Sequence, residues 1–151
     1  MSHAVRIVLV EDDINQSRLL AEKILEICDA NKIDARITRY FSEHSFMRFV
    51  RADDFQPPEF AIIDLMLHYY SPNDLESIPL ANEEIERAEV KRAGMRCYDE
   101  LKKKSPATKI LLITVLRGEE ISEIPESYAV ANKGTQHDEL LLTEFLLSGS
   151  E

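Results

Sequence analysis

The sequence predicts an α/β fold in which a five-stranded parallel sheet carries helices on both faces. Two observations predict it. Short β-rich runs alternate along the chain with segments of helical periodicity, the pattern of strands joined by helical crossovers. Three of those runs, IVLV (7–10), FAII (60–63) and ILLI (110–113), are unbroken apolar stretches. A strand with one wet face alternates polar and apolar residues, whereas a strand covered on both faces does not.

The elements follow in order. A strand over Val5–Val10 leads to a helix from about Ile14 to Asp29, where Leu20, Ile24 and Ile27 recur at helical spacing. A second strand, Ala35–Phe41, precedes a helix after Ser42 marked by Phe46, Phe49 and Val50. The third strand is Phe60–Leu65. His68 to Leu80 then carries two prolines and no period, and reads as a long loop. Glu83 to Lys104 is helical, with Asn82 as cap, acids in the first turn and three lysines in the last, each suiting the helix dipole. Val90, Gly94, Cys97 and Leu101 form its stripe; one helix, or two broken near Gly94, both fit. Ser105-Pro106 ends it. The fourth strand is Lys109–Thr114, and Val115 to Ser127, interrupted by Pro125, is short for a full helix. The fifth strand is Tyr128–Asn132. The last helix starts at Thr135, with Asp138 as capping partner, and buries Leu141, Leu142, Phe145 and Leu146. Right-handed crossovers leave few topologies, and the flavodoxin-like order 2-1-3-4-5 is the one expected. Residues 1–151 thus read as a single domain, with an extended region between the third strand and third helix and a shortened fourth helix.

Composition narrows the function. The net charge of −10 repels nucleic-acid phosphates and anionic lipid, so neither direct nucleic-acid binding nor a membrane role is expected. The apolar run near the N-terminus stops at Glu11-Asp12-Asp13, unlike a targeting signal. Cys28 and Cys97 show no C-x-x-C spacing and read as buried free thiols, so a cytoplasmic location is expected. With 4 glycines there is no phosphate-cradling loop.

In a parallel sheet the working groups gather beyond the carboxyl ends of the strands. Those ends supply Glu11, Asp12 and Asp13, then Asp64, then Thr114, then Lys133. Crowded carboxylates repel one another unless a cation sits among them, and an oxygen-rich site with open positions suits Mg²⁺. Thr114 offers a hydroxyl donor and Lys133 a compact positive charge, both able to hold a phosphoryl oxygen. Singly, each residue has an ordinary reading: a helix cap for the acids, a β-branched strand residue for Thr114, a solvated charge for Lys133.

Taken together, IVLVEDD, AIIDLM, LLITV and NKG resemble the response-regulator receiver domain of two-component signalling, over nearly the whole chain. The resemblance implies that Asp64 accepts a phosphoryl group from a histidine kinase or phosphotransfer protein. It implies that Mg²⁺ is held by Glu11, Asp12, Asp64 and the Met66 backbone carbonyl, with Asp13 a further contributor, and that Thr114 and Lys133 bind the phosphoryl group. It also implies a stand-alone phosphorelay protein that is not an enzyme, beyond slow self-dephosphorylation. The sequence departs from the family's pattern at Val115, where a small residue is usual, at Val130, where an aromatic is usual with Tyr128 two residues earlier, and at Gly134, where proline is common. Fifty positions separate Asp64 from Thr114, an insertion over about 68–92 that makes this segment the expected docking surface for a downstream target. The alternative reading is a receiver-like interaction module that works without phosphorylation. A phosphatase with an aspartyl-phosphate intermediate fits less well, because Glu11-Asp12-Asp13 lacks the D-x-D alternation such enzymes use.

Overall fold

Along β1 (Val5–Val10), Ile7 and Leu9 enter one face of a sheet and Val8 and Val10 the other, and all four are buried. That is what an unbroken apolar run does when the side-chain period is two. The computed structural model of the protein describes residues 4–65, 67, 83–114, 128–132 and 136–148; for 83–92, 132 and 136–139 it describes the element but not the side chains. After β1 come α1 (Ile14–Ala30), β2 (Ala35–Tyr40), α2 (Glu43–Arg51), β3 (Phe60–Asp64), α3 (Glu83–Lys104), β4 (Lys109–Thr114), β5 (Val130–Asn132) and α4 (Gln136–Leu147). The five strands form one parallel sheet in the order β2-β1-β3-β4-β5, as the sequence predicts.

Two cores result. On one face, α2 and α3 bring Phe46, Val50, Ala93, Cys97 and Leu101 onto Val8, Val10, Ala61, Ile63 and Leu112. On the other, Ile24, Ile27 and Cys28 of α1 and Leu142 and Leu146 of α4 cover Ile7, Leu9, Ile62, Leu111 and Ile113. β3 is buried at every residue, while the edge strand β2 is not buried at any. Both cysteines are free and buried. Among the described residues no helix is long and apolar enough to cross a membrane.

Local chemistry sets the helix starts. Asp13 caps α1, its carboxylate accepting from the Gln16 N–H at 2.9 Å, and Ser42 caps α2, its hydroxyl accepting from the Ser45 N–H at 3.1 Å. The first residue of α2, Glu43, is buried and takes a two-pronged hydrogen bond from Arg96 of α3 at 2.6 and 2.7 Å, fixing the two helices to each other. α3 runs unbroken through Gly94, which decides between the one-helix and two-helix readings. β5 is shorter than expected: Tyr128 precedes the strand, its hydroxyl donating to Asp99 of α3 at 2.8 Å. The expected loop over 68–80, the short helix within 115–127 and the expected helix start at Thr135 lie outside the described residues.

Ile62 is fully buried at the sheet centre. Ile62→Ala is expected to lower unfolding free energy by about 2–5 kcal/mol, since transfer and cavity terms add. A urea titration followed by far-ultraviolet circular dichroism checks this; a midpoint matching wild type counts against the described core.

Candidate functional site

Parallel strands end together, so the residues following them share one rim. Three carboxylates meet there. Glu11 follows β1, with its N–H donating to the Tyr40 carbonyl of β2 at 3.1 Å, so the strand pairing persists one residue past the strand. Its carboxylate accepts from the Asp13 N–H at 3.2 Å, which curls the chain back into α1. Asp64 ends β3, in register with Ile113 of β4, and the next N–H, that of Leu65, donates to the Ile113 carbonyl at 2.8 Å. Glu11, Asp12 and Asp64 each place a carboxylate oxygen within 4.8 Å of the other two.

Two of these acids are deeply buried: Glu11 is 2% exposed and Asp64 5%. Charged carboxylates at that depth and spacing are costly unless a cation offsets them. Magnesium fits the donor set. The set also leaves coordination positions for water and phosphate oxygens.

The other sequence-predicted residues divide clearly. Thr114 ends β4 with its side chain buried, and its strand partner is Asn132, the last residue of β5. Lys133, next along the chain, and Met66, two residues after Asp64, lie outside the described residues. Asp13 is exposed and its carboxylate caps α1; the group of three does not include it.

Sequence reasoning placed Gly94 on a helix stripe and near the point where a two-helix reading would break. In the structure its N–H donates to the Leu65 carbonyl at 3.0 Å, so the middle of α3 lies against the backbone that follows the Asp64 side chain. A glycine in a helix interior costs about 1 kcal/mol relative to alanine. That cost was the signal available in the sequence.

Tyr128 and Val130 both pack on the α2–α3 side of the sheet, with Val130 in register with Leu112. The Tyr128 ring meets Tyr98 edge-on, with centroids 4.7 Å apart.

No family model matches the chain, and no curated protein matches it. Solved structures do. The chain is similar to a BeF3-activated DrrB receiver domain, with 19% identity over 95% of this chain and 98% of that one and a TM-score of 0.58. It is similar to the signal receiver domain of an HD domain-containing protein from Pseudomonas fluorescens, with 14% identity over 99% and 100% and a TM-score of 0.61. A phosphorylated cyanobacterial phytochrome response regulator, RcpA, is 12% identical over 99% and 96%, also with a TM-score of 0.61. The fold is that of response-regulator receiver domains. In this receiver fold the acidic group occupies the carboxyl rim of the sheet, where open α/β sheets place their ligands.

Burial, and then the hydrogen bond that the Asp99 carboxylate accepts from it, push the Tyr128 phenol from about 10 up to about 12. The folded state therefore favours the protonated phenol. Its stabilising contribution is complete below pH 10 and is lost as pH rises through 12. Tyr128→Phe is expected to unfold more easily than wild type at about pH 9, with the gap closing towards about pH 12. Denaturant midpoints across that range test it; a constant gap rules out the assigned titration.

Proposed function

We propose that the chain is a phosphoacceptor of a two-component or phosphorelay system that receives a phosphoryl group on Asp64. The observation that carries this reading is the meeting of Glu11, Asp12 and Asp64, oxygens within 4.8 Å of one another, at the rim of a fold whose solved neighbours include a BeF3-activated and a phosphorylated member. An Asp64 carboxylate oxygen attacks phosphorus as the nitrogen–phosphorus bond of a donor phosphohistidine breaks, and the electron pair leaves with the imidazole. Glu11, Asp12, Asp64 and the Met66 carbonyl are the proposed Mg²⁺ ligands, and the bound ion supplies charge neutralisation at the phosphoryl oxygens. The Thr114 hydroxyl donates to one phosphoryl oxygen and the Lys133 ammonium pairs with another. The product is a charged acyl phosphate that shifts a conformational equilibrium, so the protein is a switch and not a turnover enzyme beyond slow self-hydrolysis.

The donor is a histidine kinase or phosphotransfer protein, and the downstream target is a protein that docks in part on residues 68–92. Ile14, the first residue of α1 and one position past the Asp13 cap, is 48% exposed, an apolar contact for the donor beside the acidic group. The free buried thiols suit a reducing cytoplasm. A phosphorylation-independent interaction module is the second reading. It is favoured by Val130 at the strand position and by the Tyr128 hydroxyl held on Asp99.

Incubation with acetyl phosphate and Mg²⁺ is expected to add the mass of one phosphoryl group, absent in Asp64→Asn and strongly reduced in Glu11→Gln. A wild-type chain that neither gains mass nor binds Mg²⁺ transfers the assignment to the second reading. Ile14→Ser is expected to slow transfer from a phosphohistidine protein while leaving uptake from acetyl phosphate unchanged; equal slowing from both donors removes Ile14 from the docking surface.

A further inference from the structure

α3 meets the sheet at one point with no room for a side chain. A Cβ on Gly94 would stand 2.4 Å from the Leu65 Cα, 2.5 Å from the Asp64 carbonyl oxygen and 2.8 Å from the Leu65 carbonyl oxygen. All three are backbone atoms, so no rotamer change relieves the clash. The neighbours of Gly94 on the helix, Ala93 and Cys97, are fully buried, so α3 cannot tilt away there without opening the core. Leu65, the residue after Asp64, is thus held from two sides. β4 accepts the Leu65 N–H through Ile113, and α3 donates to the Leu65 carbonyl through Gly94. With Leu65 held by β4 and α3, its own carbonyl against Gly94 and the residue 5% exposed, Asp64 has little freedom to point anywhere but into the acidic group.

The grip sits midway along a 22-residue helix. Eleven residues, Glu83–Ala93, precede Gly94 and extend roughly 16 Å at 1.5 Å per residue. All but Ala93 fall within residues 68–92, the segment the sequence reading takes as an insertion.

We propose that Gly94 is a positioning residue for the Asp64 carboxylate, and that it couples the amino-terminal arm of α3, Glu83–Ala93, to that carboxylate. This rests on the proposed role of Asp64 for its functional meaning, but the coupling itself is a property of the fold. A partner that displaces the arm changes the competence of Asp64, and a change at Asp64 is felt along the arm, because coupling between two sites is reciprocal.

The test uses the full chain as wild type, Gly94→Ala, Asp64→Asn and, as control, Cys97→Ala, which removes buried volume one turn further along the same helix face. In metal-free solution the Asp64 carboxyl carbon resonance is expected to move in Gly94→Ala and hold its place in Cys97→Ala. In Asp64→Asn the amide resonances of Gly94 and of Glu83–Ala93 are expected to move more than those of Lys102–Lys104. With acetyl phosphate and Mg²⁺, Gly94→Ala is expected to take up phosphoryl groups roughly tenfold to a hundredfold more slowly than wild type, the scale of effect of a small misplacement at a reacting group, and Cys97→Ala at the wild-type rate. An unmoved Asp64 resonance in a folded Gly94→Ala overturns the proposal, as does equal slowing in the Cys97→Ala control. Should Gly94→Ala fail to fold, the Asp64→Asn spectra decide: silent Gly94 and arm amides overturn it, and shifted ones support it. A wild-type chain that takes up no phosphoryl group defeats the proposed function, while the metal-free spectra still decide whether Gly94 positions Asp64.

Discussion

The parallel register of β1 with β3 is the constraint that brings three carboxylates together at one rim of this sheet. Asp64 lies more than fifty residues along the chain from Glu11 and Asp12, yet the oxygens of all three lie within 4.8 Å of one another and two of the residues are almost dry. Nothing in the acids themselves favours that arrangement. The surrounding order imposes it: β1 and β3 are neighbours in register, so their ends cannot separate without unpairing Val10 from Ile63 and Leu9 from Ile62. The apolar runs that stabilise the sheet therefore hold the acids together. Such a group of carboxylates is one whose charge a bound cation would offset.

The three acids also share their work unequally. Asp13, the fourth acid of the neighbourhood, is diverted to cap α1, and its own N–H donates to the Glu11 carboxylate. One turn of chain thus orients a candidate ligand and starts a helix at once. This economy explains why an acidic triplet is useful where two acids would suffice as ligands: the third satisfies helix N–H groups that would otherwise compete for the first two.

Much of this was legible in the sequence because the period of an apolar run is set by its surroundings. IVLV, FAII and ILLI are apolar on both faces because two helical layers cover them, and the order of the strands follows from crossover handedness. Once the sheet is parallel, residues directly after those runs must share an edge, and Glu11, Asp12, Asp64 and Thr114 did. Contacts between side chains far apart in sequence left no trace. The Glu43–Arg96 pair spans 53 residues and looks, in the sequence, like two surface charges. Tyr128 reads as a strand residue by its neighbours, yet its hydroxyl reaches Asp99 on a different element. Gly94 sat on the apolar stripe, where a glycine weakens a helix; only the approach of the Asp64–Leu65 backbone gives it a reason.

These long-range contacts bear on how a signal would leave the site. Tyr128, the aromatic nearest the start of β5, has its ring edge-on to Tyr98 and its hydroxyl on Asp99, both on the C-terminal half of α3. Val130, two residues on, is aliphatic and has no polar end to exchange between a buried and an exposed partner. A readout by rotation of an aromatic ring at β5 would have to break the Tyr128–Asp99 bond and the Tyr98 contact together. α3, by contrast, touches the Asp64 backbone at Gly94, α2 through Arg96 and Glu43, and the entry to β5 through Asp99 and Tyr128. α3 thus links the residue after Asp64, the start of α2 and the entry to β5 by direct contacts.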